Sequence, residues 1–152
     1  MIPILRIGLA LLILSWVAVF VHESLHLMAA QLLGHDGRLH LATLGVATFQ
    51  EDAPYSTGWH DAAIRLSGGI GTGVLFLAFW WLTSRSRAAA EMDNGMPFLA
   101  LGIGQLIYAP FEFWLYARTD YGALAGILIG LALAALWYGT LHGIGGYDGL
   151  HR

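Results

Sequence analysis

The amino-acid sequence predicts an all-α integral membrane protein with about four transmembrane helices and a short membrane-associated β segment after the first. The composition is the first observation behind this prediction. The chain is 57% hydrophobic and only 11% charged, and its mean hydropathy of +0.64 lies far from that of a soluble domain. The second observation is that the apolar residues form stretches of about 20 residues or more, the length that crosses a bilayer. The 152 residues are enough for a single membrane domain, 1–152.

The first predicted span covers residues 4–33, and Gly34 is a stop signal at its end. A signal peptide is the competing interpretation of the first 20 residues. No small-residue cleavage site precedes His22, and the apolar run continues beyond it, so we favour one long helix. Such a helix exceeds the hydrocarbon thickness, and its C-terminal part should therefore tilt or emerge at the membrane surface.

The segment 37–49 differs from the rest of the chain, because it is rich in β-forming residues and lacks a helical period. It predicts a strand or hairpin beside the membrane. Three further apolar stretches predict spans at about 59–84, 97–117 and 120–142. In the second span, Gly69 and Gly73 form a small-xxx-small pair that allows close helix packing.

Composition also limits the classes of partner and chemistry. The chain has no Cys, which excludes thiolate metal ligands, a Cys nucleophile and disulfides. Its net charge is -3 and no basic run is present, so we expect no nucleic-acid partner. The lipid bilayer is the partner that the composition indicates.

The main functional motif is His22-Glu23-Ser24-Leu25-His26 in the first span. On a helix, His22 and His26 share one face and can direct ring nitrogens at one ion, while Glu23 can reach a water on that ion. Zinc proteases use this pattern, with Zn²⁺ as cofactor, two His ligands and the Glu as general base. The alternative is a polar patch satisfied by neighbouring helices, but such groups are costly within a membrane.

Zinc requires another protein ligand, and the predicted topology limits the choice. The residues on the same side as the motif are Asp120, Glu112, His60 and His40, which all remain candidates. Asp93 and His142 fall on the opposite side. Asp120 could instead cap the N-terminus of the fourth helix, and Glu112 could pair with Arg118 or Gln105.

The chain resembles the site-2 protease family of intramembrane zinc metalloproteases. The resemblance rests on the His-Glu-x-x-His motif late in the first helix, the β segment, the glycine-rich second span and Thr119-Asp120-Tyr121-Gly122, which is similar to the family's Leu-Asp-Gly segment. The family's Gly-Pro-x-x-Asn segment corresponds to residues 68–72, where Pro and Asn are replaced. Its Asn-x-x-Pro is echoed by Gln105 and Pro110.

The resemblance implies that His22, His26 and Asp120 bind zinc, that Glu23 is catalytic, and that a peptide bond within or next to the membrane is hydrolysed. The expected substrate is a membrane protein or membrane-anchored peptide. We expect a multi-pass protein of the plasma (inner) membrane of a prokaryote, either as a homo-oligomer or in a larger membrane complex. Two alternatives are a catalytically inactive relative acting as a subunit or chaperone of a membrane protein complex, and a haem protein.

The β segment is the predicted substrate-binding element. Cleavage requires an unwound peptide, and unpaired backbone groups in lipid each cost several kcal/mol. An exposed strand edge can pair with such a peptide. The residues predicted to bind substrate in this way are Leu39, Leu41, Thr43, Leu44 and Val46.

Overall fold

The computed structural model describes residues 3–41, 47–85 and 95–114, together with Leu128, Ile129, Ala132 and Leu136. The chain forms, in order, α1 (Pro3–Leu32), β1 (Gly37–Leu41), β2 (Ala47–Glu51), α2 (Trp59–Ser84) and α3 (Met96–Trp114).

Three helices are long and apolar enough to cross a membrane, namely Gly8–Leu32, Trp59–Ser84 and Met96–Trp114. They confirm a mostly helical fold of membrane type and match three of the four predicted spans closely. The fourth predicted span, 120–142, lies outside the described residues except at four positions, which are helical. The count of four spans therefore stays a prediction.

Helix α1 ends where Gly34 predicts that it should. Gly34 has a φ of 81°, and its N–H donates to the carbonyl of Gln31 while the N–H of His35 donates to that of Ala30. This pattern is a Schellman cap, which favours Gly because the left-handed conformation crowds a side chain. The cap turns the chain sharply from the helix into β1.

The predicted β segment is a two-stranded antiparallel hairpin. Leu39 pairs with Phe49, and the register extends from Gly37 opposite Glu51 to Leu41 opposite Ala47. Both strands contact α1, and β2 has the more extensive contact with it. The hairpin is thereby held beside the C-terminal half of the motif helix.

Helix α2 packs against both other helices, most extensively against α3. A Cβ atom at Gly69 would lie 2.6 Å from the Cβ of Ala109, and one at Gly73 would lie 3.0 Å from the carbonyl oxygen of Gly102. The small-xxx-small pair therefore brings the two helices into backbone contact, as its spacing predicts. This contact brings α3 alongside α2 at the level of the His pair.

Large apolar side chains cover the outside of α1. Trp16, Phe20 and Met28 are each about half exposed. Such an apolar surface is stable when it contacts lipid. The buried polar side chains of this helix are the two imidazoles of the motif, with His22 3% exposed and His26 4% exposed. The fold thus buries the two imidazoles of a helix whose outer surface is apolar.

Candidate metal centre

The two motif histidines face each other inside the helix bundle. Their Nε2 atoms are 3.0 Å apart, and their ring centroids are 4.7 Å apart in an edge-to-face arrangement. Because the two residues are four positions apart on α1, successive turns of the helix place the rings on one face. The helix itself therefore supplies half of the centre.

The other ring nitrogen of each histidine is held by a neighbouring helix. Nδ1 of His22 donates to Oε1 of Gln105 over 2.8 Å. Nδ1 of His26 donates to the backbone carbonyl of Ile64 over 2.6 Å. When Nδ1 of a neutral imidazole carries the proton, Nε2 presents a lone pair. Metal-binding histidines have the same outer hydrogen bond, which orients the ring.

The carboxylate of Glu112 completes a triangle with these two nitrogens. Its Oε1 lies 3.1 Å from Nε2 of His26 and 3.2 Å from Nε2 of His22. Its Oε2 lies 3.1 Å from Nε2 of His22 but receives no hydrogen bond from the described part of the chain. Three lone-pair donors thus converge at one buried point, where a cation would balance their mutual repulsion.

Gly68 lets the backbone of α2 lie directly against the two imidazoles. A Cβ atom at this position would lie 2.3 Å from Nε2 of His26 and 2.7 Å from Nε2 of His22. Both distances are shorter than any real contact of a Cβ atom, so a side chain at position 68 would push the two ring nitrogens out of place. Two imidazoles and a carboxylate are also ligands that zinc accepts. The residues present therefore fit Zn²⁺.

Glu23 lies beside the triangle and is held by the hairpin. Its Oε2 accepts a hydrogen bond from the backbone N–H of Phe49 over 2.6 Å. A carboxylate oxygen of Glu23 and one ring nitrogen each of His22 and His26 lie within 4.8 Å of one another. Glu112 approaches the two imidazoles more closely, so Glu23 is the carboxylate better placed to act on a bound water.

Two cavities flank the centre. The larger, of about 510 Å³, is a polar cleft between α1, β2 and α2, with Glu23, His26 and Glu112 in its wall. The smaller, of about 140 Å³, lies between α1 and α3 and is lined by His22, Glu23 and mostly apolar groups. Glu23 is the residue that the described linings of the two cavities have in common. The motif carboxylate therefore stands between an open cleft and an apolar groove.

The structure brings together His22, Glu23 and His26 as the sequence predicts, and it adds Glu112, which the sequence analysis kept as an alternative ligand. The predicted ligand Asp120 and the predicted substrate-binding residues Thr43, Leu44 and Val46 lie outside the described residues. Leu39 and Leu41 lie on β1, the strand paired with β2.

The two histidines considered as further ligand candidates lie elsewhere. Nδ1 of His60 is within 2.9 Å of Nε2 of His35, and His40 is exposed on β1. His35 also lies 3.4 Å from Oε1 of Glu51. These contacts connect the start of α2 to the hairpin. They also give the His60 side chain a partner that is not a metal.

The orienting roles of Gln105 and of the Ile64 carbonyl are absent from the sequence-based prediction. The sequence did contain a signal for the role of Gln105. Gln105 and Glu112 are seven residues apart, which is two turns of one helix, in an otherwise apolar span, so the two polar side chains share a face. A backbone carbonyl carries no side-chain signal, so the role of Ile64 could be read only from the structure.

Comparison with known proteins leaves the interpretation to the site itself. No family model, no curated protein and no solved structure matches this chain.

Proposed function

We propose that this protein is an intramembrane zinc metalloprotease, which hydrolyses a peptide bond within or next to the membrane. One observation carries the proposal. Two imidazole nitrogens 3.0 Å apart and a carboxylate oxygen 3.1 Å from one of them converge in a helix bundle, with a second carboxylate beside them. Ionisable side chains inside a membrane-spanning helix bundle carry a large free-energy cost, and they are therefore by default the mark of a functional site.

Each side chain has a distinct part in the proposed reaction. His22, His26 and Glu112 hold Zn²⁺, and Gln105 and the Ile64 carbonyl orient the two rings. When bound, zinc polarises the substrate carbonyl and lowers the pKa of a water to about 7. Glu23 accepts the proton of the attacking water and donates it to the leaving amine, which is the general-base and general-acid role of this motif.

The polar cleft is the proposed place of the substrate. One wall of the cleft is β2, through Phe49, Gln50 and Glu51, and another carries Glu23 and His26. An unwound peptide can replace some of its lost helical hydrogen bonds by pairing with backbone groups on the outer edge of a strand. On β2 the N–H of Phe49 is already bonded to Glu23, so the peptide would use the other outward groups. A membrane protein or membrane-anchored peptide is therefore the substrate class that the cleft suits.

Glu23→Gln is the variant that tests the proposal. The amide keeps the shape of the side chain but cannot accept the proton, so metal content should remain unchanged while cleavage falls by about 10²–10⁴-fold. Fluorescein-labelled casein is a suitable probe, because its unfolded backbone can pair with a strand edge. Cleavage is measured by fluorescence release, and zinc by mass spectrometry, on the same detergent-purified samples.

The control is Asp52→Asn, which changes a hairpin carboxylate that pairs with Arg38 and lies outside the described lining of the cleft, and it should leave most of the cleavage intact. Equal behaviour of the wild type and Glu23→Gln would contradict the protease proposal. It would favour the inactive subunit or chaperone that the sequence analysis considered.

A further inference from the structure

The backbone N–H of Phe49 joins the hairpin to the functional motif. Its nitrogen lies 2.6 Å from Oε2 of Glu23, and the Phe49 ring stacks on the imidazole of His26 with centroids 5.9 Å apart. The residue therefore contacts the site through two separate groups, a backbone amide and an aromatic ring. The amide is the group that bonds to the carboxylate to which we assign proton transfer.

The register of the hairpin explains why this amide is available. Residues of an antiparallel pair alternate between those that exchange hydrogen bonds across the pair and those whose N–H and C=O point outward. The N–H of Asp52 donates to the carbonyl of Asp36 over 2.9 Å. By alternation from this bonded pair, Gln50 and Thr48 bond to β1, whereas Phe49 directs its N–H to the outer edge. That edge faces the motif helix.

We propose that Phe49 is a positioning residue for the proposed reaction and acts on Glu23 through its backbone N–H. The hydrogen bond holds Oε2 of the carboxylate and leaves the second oxygen to take the proton of the attacking water. The inference rests on the proposed protease function. It assigns to the hairpin a part in the chemical step, in addition to any contact with substrate.

Two physical arguments support this role. A Glu side chain has three rotatable bonds, so its carboxylate needs an anchor to stay in one position. A hydrogen bond from a backbone amide to an ionised carboxylate is among the stronger ones in proteins and can provide that anchor. A general base must lie within about 3 Å of the proton that it removes, and a misplacement of about 1 Å can cost about 100-fold in rate. A fixed amide on a paired strand is a rigid anchor for that purpose.

Amide hydrogen exchange tests the anchor without any substrate. In ¹⁵N-labelled protein in micelles, Glu23→Ala should accelerate exchange of the Phe49 amide by about tenfold or more, since it loses a charged acceptor. The amides of Gln50 and Thr48 bond to β1 and should exchange at the wild-type rate. An unchanged exchange rate at Phe49 would overturn the proposal.

The catalytic effect is tested by comparing Phe49→Pro with Phe49→Ala. Both variants lack the ring, but only Pro lacks the N–H, and Pro is tolerated at an edge position whose N–H is outside the ladder. We expect kcat of Phe49→Pro on labelled casein to be about 10–100-fold below that of Phe49→Ala, with similar KM and zinc content. Slow exchange at Gln50 and Thr48 in Phe49→Pro verifies that the hairpin is intact.

Equal kcat in the two Phe49 variants, with the hairpin intact, would overturn the positioning role. The failure of the underlying function is recognised separately. If wild-type protein cleaves nothing, the proposed function and the catalytic part of this inference both fall. The exchange difference at Phe49 then shows only that the amide anchors a carboxylate.

Discussion

At the scale of single residues, Gly68 is the position where the smallest change should have the largest effect. Its missing side chain leaves room beside both Nε2 atoms, since a Cβ would lie 2.3 Å from one and 2.7 Å from the other. A Cβ so close would displace the two ring nitrogens from the arrangement in which they can share an ion. Gly68→Ala should therefore abolish metal binding, as measured by the zinc content of purified protein.

Gly71→Ala is the matched control on the same helix. A Cβ there would meet Cδ1 of Leu25 at 2.7 Å, the end of a flexible side chain that can turn away. This variant should keep its zinc. Full zinc content in Gly68→Ala would mean that the ion binds elsewhere in the protein.

The third ligand is the second question at this scale. Glu112 lies 3.1 Å from Nε2 of His26, whereas Asp120 is supported by the resemblance of its short motif. We expect Glu112→Ala to lose most of its zinc and Asp120→Ala to keep it. The opposite result would favour Asp120 and would leave Glu112 as a hydrogen-bonding partner of the two imidazoles.

The motif residues could be predicted from the sequence because their relation is local. Helical geometry alone places His22 and His26 on one face. The proximity of Glu112 depends on how α3 packs against α2, and one sequence does not specify that long-range contact. The predicted topology kept Glu112 on the side of the motif, and the resemblance of Thr119-Asp120-Tyr121-Gly122 favoured Asp120 as the ligand.

At the scale of elements, the packing of α2 on α3 supports the site. A Cβ at Gly69 would lie 2.9 Å from the Cα of Ala109 and 3.0 Å from the carbonyl oxygen of Gln105, so the backbone of α3 must move to accept it. Gly69→Ala should cost about 1–3 kcal/mol in the free energy of unfolding. It should also weaken zinc binding, because α3 carries Gln105 and Glu112.

The matched control is Gly8→Ala in α1, where a Cβ would have nothing within 4 Å. Ala favours helix over Gly by about 1 kcal/mol, so this variant should be neutral or slightly more stable. Unfolding of both is followed by circular dichroism during a detergent titration. Equal stability of the two variants would contradict the close packing of α2 on α3.

The elements themselves were predictable to different degrees. Long apolar runs identify the spans, and Gly34 marks the end of α1 through a cap that needs its φ of 81°. The hairpin was predicted from β-forming residues within 37–49, but β2 extends to Glu51. Its register depends on the pairing of two separate strands. The contact of its edge with Glu23 depends on tertiary packing, which no local pattern encodes.

At the scale of the whole molecule, the proposed ion would connect all three described spans. The two nitrogens proposed to bind it lie on α1 and the proposed carboxylate lies on α3. Helix α2 lies against the imidazoles at Gly68 and holds His26 through the Ile64 carbonyl. The hairpin adds the anchor of Glu23. Four elements thus meet at one buried point, where the proposed function requires a metal.

The zinc content of the purified protein is the most direct test of this claim. Wild-type protein, purified in mild detergent without chelators, should contain about one zinc ion per chain by mass spectrometry. Glu23→Gln should contain the same amount, because the proposed ligands are His22, His26 and Glu112. His22→Ala should contain almost none. Wild-type protein without zinc, or His22→Ala with as much zinc as the wild type, would contradict the account.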